Sequence, residues 1–181
     1  MENKTAASDI RPLAIGLLVL GALIRITQQW NFAPVGALAL FAGARLRGWK
    51  AWALPIALMA ITDPLVGGYT GLTPLVYASL LVNVWIGMRL RRTENPVWIG
   101  SASLAGSIQF FLITNFAWFY GTSMYPHTFG GVLASYAAGV PFFWRTLASD
   151  LFYSGVFFGL HAWLSRTVAR RERVAAEAGL A

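Results

Sequence analysis

Ionisable side chains within apolar stretches are the residues of this sequence best suited to chemistry. Asp63, Arg145 and Asp150 each lie in or beside a run of apolar residues. Removing a charge from water costs free energy, so such residues are rare in membrane-length segments and mark functional sites by default. The stretch 115–150 contains two of the three and crosses a loop rich in aromatic residues and glycine. We therefore expect the functional site to be organised around this stretch.

These three residues allow more than one arrangement. Asp63 and Arg145 can form an ion pair that joins two helices, or the polar rim of an outward-facing pocket, and the two interpretations are compatible. A dyad of Asp63 and Asp150 would indicate an intramembrane aspartyl enzyme. Such a dyad must share a proton, whereas a nearby arginine favours ionisation of both carboxylates. Neither a Tyr-Asp nor a Gly-x-Gly-Asp motif is present, and we predict that the protein is not an enzyme.

Histidine and cysteine usage limits metal and redox chemistry. The chain has no cysteine, and its two histidines are His127, in a predicted loop, and His161, near the end of the last apolar run. Asp150 and His161 are eleven residues apart, so they share a helix face and can be steps in a proton path. No residues have metal-ligand spacing. We predict neither a metal site nor a cofactor.

Aromatic residues are concentrated in the predicted loops on one side: Trp30, Phe32, Tyr69, Trp118, Phe119, Tyr120, Tyr125 and Phe129. Tryptophan and tyrosine are common at the headgroup level of any membrane protein. Glycines in the same loops allow tight turns or a close approach to a ligand. Both an interfacial aromatic belt and loops that fold over an amphipathic ligand agree with this pattern.

Amides and small residues within the apolar runs indicate helix packing. Asn83, Gln109 and Asn115 are intramembrane amides, which join helices more often than they contact ligands. The spacing Ala39-x-x-x-Gly43 permits close helix contact. The pattern does not distinguish contact within the fold from contact with a partner protein.

The composition indicates one integral membrane domain. Of the 181 residues, 57% are hydrophobic and 12% are charged, and the mean hydropathy is +0.58. So few charges cannot coat a soluble protein of this size. A net charge of +7 would suggest nucleic acid as a partner of a soluble protein. Here the positions of the charges follow a membrane topology, so we expect a lipid bilayer and no nucleic acid.

The apolar runs predict an all-α membrane protein with six transmembrane helices. The predicted spans are 12–24, 35–44, 51–61, 72–90, 97–120 and 142–164. The third is expected to stop at Asp63-Pro64, because proline disfavours helix in the preceding residue. A short separate helix is expected at 132–139. The chain then divides into an N-terminal tail (1–11), a transmembrane domain (12–165) and a basic tail (166–181).

Basic residues are divided unevenly between the two sides of this topology. One side collects Lys4, Arg11, Arg45, Arg47, Lys50, Arg89, Arg91, Arg92, Arg166, Arg170, Arg171 and Arg173. The other side has Arg145 and Arg25, whose side chain is expected to extend to the membrane surface. Cytoplasmic segments are rich in Lys and Arg. We therefore predict that both termini are cytoplasmic in a multi-pass protein of the bacterial inner membrane.

Three segments resemble a known group of membrane proteins: NFAPVGALALFAGA, the run from Asp63 through Gly67-Gly68-Tyr69 to Tyr77, and TNFAWFYGTSMYP followed by SYAAGVPFFWRTLASDLFYSGVFFG. They are similar to the substrate-binding S-components of energy-coupling-factor vitamin transporters, with the solitary cobalamin transporters of the BtuM type as the nearest branch. The resemblance implies a six-helix bundle and an outer pocket capped by loops. It leaves open whether the protein acts alone, as a solitary transporter, or with energising transmembrane and ATPase subunits as partners.

The same resemblance implies roles for individual residues. Asp63, Tyr77 and Arg145 lie at positions where cobalamin-binding members have pocket residues. The cobalt-coordinating cysteine of the solitary transporters, expected near Leu72, is absent, and a loop histidine is replaced near Gln28 and Gln29. Any cobalamin would therefore bind without cysteine chemistry.

Together these observations predict a binding site for a vitamin-like molecule, with cobalamin as the first candidate, at the outer ends of spans three to six. Polar side chains within a bilayer face the bundle or a wet cavity. The predicted site residues are Asp63, Tyr69, Tyr77, Asn115, Trp118, Tyr125, His127 and Arg145. The alternative is a membrane scaffold or assembly protein that binds no small ligand.

Overall fold

The structure, a computed structural model, describes residues 6–27 and 32–178. Within these ranges the chain forms six α-helices and no β-strand: α1 Ala6–Thr27, α2 Val35–Arg45, α3 Lys50–Val66, α4 Thr73–Met88, α5 Pro96–Gly121 and α6 Phe129–Glu177. The predicted all-α class is confirmed for this part of the chain. Lys4, Gln28, Gln29, Trp30 and the side chain of Arg11, which entered the predictions above, lie outside it.

Helix α2 is the centre of the bundle. All of its residues from Gly36 to Ala44 are buried, and it contacts each of the other five described helices. A helix that is apolar on every face needs neighbours on every face. Its 11 residues rise about 16 Å, which is roughly half the thickness of a bilayer hydrocarbon core.

Glycine allows α2 and α4 to come into backbone contact. A methyl group added at Gly43 of α2 would lie 2.0 Å from the carbonyl oxygen of Val84, and one added at Gly87 of α4 would lie 2.0 Å from that of Leu40. Both distances are far shorter than any van der Waals contact. The Ala39-x-x-x-Gly43 pattern therefore serves contact within the fold.

Prolines do not end helices where the sequence suggested. Helix α3 continues through Pro64 to Val66, and α6 continues through Pro141, so the separate helix predicted at 132–139 is part of α6. Proline removes one backbone hydrogen bond, and a bundle can supply a substitute. For Pro64 that substitute is visible: the Tyr69 hydroxyl donates to the carbonyl oxygen of Ala60, four residues before the proline.

Helix α6 is much longer than predicted. It spans 49 residues, or about 73 Å, and carries the predicted basic tail in helical form as far as Glu177. Thr128 is the N-cap of α6, and its hydroxyl accepts from the Gly131 amide at 3.2 Å. Beyond Arg166 nearly every residue is exposed. The last turns of α6 therefore extend past the other helices.

Basic residues meet at one end of the bundle, here called the basic end. Arg45, at the end of α2, donates to two backbone carbonyls of the 89–95 connection. Arg91 donates back to two carbonyls at the end of α2, and Arg166 of α6 pairs with Glu94 at 3.0 Å. The α2–α3 and α4–α5 connections and the later part of α6 thus lie together. The α3–α4 and α5–α6 connections lie at the opposite end.

Candidate functional site

A cavity of about 550 Å³ lies between α4, α5 and α6 at the opposite end. Its walls come from the later half of α5, the first half of α6, one residue of α4 and the connection between α5 and α6. The lining residues are Val76, Ser107, Phe110, Phe111, Thr114, Asn115, Trp118, Met124, Tyr125, Ser135, Ala138, Gly139, Phe142, Phe143 and Thr146.

Short polar contacts hold the two main walls of the cavity together. The Ser135 hydroxyl of α6 donates to the carbonyl oxygen of Asn115 at 3.1 Å, and the Tyr136 hydroxyl donates to that of Leu112 at 2.8 Å. A methyl group at Gly139 would lie 2.2 Å from Oδ1 of Asn115, so glycine is required for this approach. These contacts join α5 and α6 at residues that line the cavity.

The lining combines aromatic rings with neutral polar groups. Six of its side chains are aromatic, five carry a hydroxyl or amide (Ser107, Thr114, Asn115, Ser135 and Thr146), and none is charged. The Asn115 amide nitrogen donates to the carbonyl oxygen of Phe111 at 2.9 Å, and its Oδ1 lies against Gly139. Aromatic walls with a few fixed polar groups are typical of sites for small ligands. The cavity is suited to a neutral, ring-containing molecule.

Three of the eight predicted site residues line this cavity. Asn115, Trp118 and Tyr125 come from the end of α5 and the loop after it, and the structure brings them together as the sequence suggested. Trp118 and Tyr125 provide flat apolar surfaces with a polar edge, which suit stacking against a ligand ring.

Asp63 and Tyr77 lie in a separate cluster, away from the cavity lining. The Asp63 carboxylate accepts from Arg25 at 2.6 Å and from the Tyr77 hydroxyl at 2.5 Å, and Arg25 also donates to the Thr62 hydroxyl. The expectation that Asp63 pairs with Arg145 is therefore wrong, as is the expectation that Arg25 extends to the surface. Both arginines were placed at the same end of the bundle, and only the helix rotations decide which one meets Asp63.

The other three predicted site residues are exposed and do not line the cavity. Tyr69 is exposed and bonds the carbonyl of Ala60. His127 is exposed, and its ring stacks on Tyr120 with centroids 5.7 Å apart. Arg145 is exposed on α6 and is not among the cavity-lining residues.

Asp150 connects the floor of the cavity to the core. Its Oδ2 accepts from the hydroxyl of Ser107, a lining residue, at 2.7 Å, and its Oδ1 accepts from the amide of Ala37 at 3.1 Å. That amide belongs to the first turn of α2. Asp150 thus caps the N-terminus of the central helix from α6.

Sequence reasoning missed several residues of the cavity. Ser107 and the four phenylalanines lie in apolar runs that gave no local sign of a site. A weak signal was present, since Ser135 and Gly139 are four residues apart and small residues at this spacing permit close helix contact. The amides Asn83 and Gln109 join α4 to α5 by a 2.9 Å hydrogen bond, as interhelical contacts do.

A scan against protein-family models matches residues 7–174 to DUF6580, a family of unknown function. The match covers most of the chain, and the protein belongs to this family. No curated protein and no solved structure matches it.

Proposed function

We propose that this member of the DUF6580 family is a multi-pass membrane protein that binds a small, neutral, vitamin-like molecule for uptake. The observation that carries the proposal is the cavity of about 550 Å³, lined by aromatic, hydroxyl and amide groups, at the end remote from the basic residues. The resemblance to vitamin-transporter S-components supports uptake as the purpose of binding.

The distribution of polarity supports a bilayer around the bundle. Among the described helices, α5 is long and apolar enough to cross a membrane, and most of it is not buried by its neighbours. Leu104, Ile108, Leu112 and Phe116 form an exposed apolar stripe along it. Polar side chains such as Ser107, by contrast, are buried. Outward apolar and inward polar surfaces suit hydrocarbon rather than water as the solvent.

The position of the basic end supports one orientation of the bundle in the membrane. Ten of the fourteen Lys and Arg residues lie in the α2–α3 and α4–α5 connections, at their flanks, or in the last part of α6. By the positive-inside rule this end is cytoplasmic. The cavity then faces the outside of a bacterial inner membrane, where a nutrient would arrive.

The cavity sets limits on the ligand. Ligand sites typically measure about 300–1,000 Å³, and this one is in the lower half of that range. A corrinoid is much larger than a drug-sized ligand, so cobalamin would fit only with much of the molecule outside the cavity. Neutral vitamins with one ring system fit the volume and the uncharged lining better. We place these first and cobalamin second.

Direct binding tests the proposal. The purified protein in lipid nanodiscs is titrated by calorimetry with riboflavin, nicotinamide and cobalamin. We expect one of them to bind, and Trp118→Ala to weaken binding at least about tenfold, since loss of an aromatic anchor at a binding hot spot costs about 2 kcal/mol or more and about 1.4 kcal/mol is tenfold.

The matched control is Trp98→Ala. Trp98 is an exposed tryptophan on the same helix and is not among the cavity-lining residues, so its loss should leave the dissociation constant unchanged. Absence of binding by the whole panel would favour a scaffold function, and equal losses in both variants would reject this cavity as the site.

A further inference from the structure

We propose that Asp150 is a proton-exchange group, reached from the two ends of the bundle through two separate cavities, and that it couples uptake to a proton gradient. The coupling to uptake depends on the proposed transport function. The assignment of Asp150 as the exchange group depends only on its position between the two cavities.

A second cavity, of about 280 Å³, lies at the basic end between α5 and α6. Its lining includes Glu94 and Arg166, both exposed to solvent, and reaches inward to Ser154. The first cavity reaches inward to Ser107. Each end of the bundle therefore has a cavity beside α6, and the two cavities reach Thr146 and Leu151, which are five residues apart on that helix.

A thin polar partition separates the cavities. Asp150 bonds Ser107 on one side, and Ser154, one helical turn beyond Asp150, lies 3.4 Å from the Ser103 hydroxyl on the other. The space between Asp150, Ser103 and Gly106 is too small for a water molecule. A proton that reaches Asp150 from one cavity is thus one helical turn away from the other.

The charge of Asp150 has no countercharge among its bonded partners. It accepts from the hydroxyl of Ser107 and from the backbone amide of Ala37. The helices in contact with α6 are α1, α2 and α5. Their titratable groups are Asp9, Arg11 and Arg25 on α1, Arg45 on α2 and Tyr120 on α5, with Arg145, Tyr153 and His161 nearest to Asp150 along α6. Arg25 is bonded to Asp63 and Thr62, and Arg45 to backbone carbonyls of the α4–α5 connection.

A buried carboxylate without a cationic side chain can be neutralised by a proton or by a metal cation. The amides that face Asp150 point N–H groups at it and form the positive end of the α2 dipole. They oppose a metal cation but stabilise a carboxylate. No group of three or more potential metal-ligating side chains occurs in the described residues. The site is suited to a proton.

The exchange step forms and breaks one bond. A proton from water in the first cavity adds to a carboxylate oxygen of Asp150, and the neutral acid then loses it to water in the second cavity. No other bond changes. Protonation removes the negative charge that holds the N-terminus of α2, the helix that contacts all the others. The two states of Asp150 are therefore expected to favour two positions of α2.

Labelling with dicyclohexylcarbodiimide tests the inference without a transported ligand. This apolar reagent converts a protonated, membrane-embedded carboxyl group to an acylurea, which mass spectrometry locates. In proteoliposomes with a fixed internal pH, we expect labelling of Asp150 to fall as the external pH rises, about tenfold per pH unit above the midpoint. This fall in labelling should occur for both orientations of the protein in the vesicle membrane. A tag at one terminus allows the two populations to be separated.

Substitutions test separately the access of protons to Asp150 from each of the two cavities. Ser107→Ala should weaken the response from the first cavity only, and Ser154→Ala the response from the basic end only. Asp150→Asn keeps an oxygen that accepts from Ala37, so the fold is retained while the label disappears. Glu172→Gln, which removes an exposed carboxyl group in the last part of α6, should leave labelling of Asp150 unchanged.

Labelling that is absent, independent of pH, or responsive in one orientation only would overturn the inference. The outcome is separable from the binding test. If a vitamin binds but Asp150 does not respond from both ends, proton coupling alone fails. If Asp150 responds and no vitamin binds, the proposed ligand function fails and proton exchange stands.

Discussion

Asp63 joins three helices through one carboxylate. Arg25 comes from the end of α1 and Tyr77 from the start of α4, and both bond Asp63 near the end of α3. The side chains of Asp63 and Arg25 are 11% and 13% exposed. Removing one partner of such a buried pair leaves the other charge without compensation.

Arg25→Ala should therefore lower the free energy of unfolding by about 3–5 kcal/mol. The measurement is denaturant unfolding in detergent. Arg166→Ala is the control, since the Arg166–Glu94 pair is mostly exposed and should contribute less than about 1 kcal/mol. Similar losses in the two variants would show that Arg25 and Asp63 are not coupled in solution.

Sequence reasoning identified the importance of Asp63 and Asp150 but not their partners. An acidic residue in an apolar run needs compensation wherever it lies, so its importance is readable from sequence. The identity of the compensating group depends on how each helix is rotated. Asp150 accepts from a backbone amide of α2, and a backbone partner leaves no trace in the sequence.

At the scale of helices, the contact between α2 and α4 is the most demanding. Each helix presents a glycine to a backbone carbonyl of the other, which leaves no space for any side chain at Gly43 or Gly87. Glycine spacing predicted such a contact, because small residues are the means by which helices approach closely. The predicted end of α3 at Pro64 was wrong, because the Tyr69 hydroxyl replaces the hydrogen bond that the proline removes.

Gly43→Ala should destabilise the fold by about 1–3 kcal/mol through overpacking, measured as a drop in thermal stability. In Gly16→Ala, the control in α1, the added methyl group meets nothing within 4 Å. Helix propensity predicts a gain of up to about 1 kcal/mol there. If both variants were equally stable, α2 and α4 would have to be further apart than the structure places them.

At the scale of the whole molecule, charge and helix order determine a two-ended arrangement. The pattern of basic residues predicted which connections share an end, and the contacts of Arg45 and Arg91 confirm this for the described residues. The cavity was predictable only in part. Its loop and helix-end residues carry polar signals, whereas its phenylalanine walls resemble any lipid-facing surface.

Topology reporters test this arrangement in cells. A reporter fused after Ala181 should read cytoplasmic, because the later part of α6 lies at the basic end. The same reporter inserted in the connection 122–128 should read periplasmic. Two reporters on the same side would contradict alternating helices, and exchanged sides would place the cavity toward the cytoplasm.

The central position of α2 has a consequence for biogenesis. This 11-residue helix, which ends in Arg45, is much shorter than the roughly 20 residues of a helix that spans a membrane. Its first-turn amide is capped by Asp150, which the ribosome adds more than a hundred residues later. Until α6 has been synthesised, α2 lacks both its cap and one of its walls. The core around α2 can therefore close only after α6 has been synthesised.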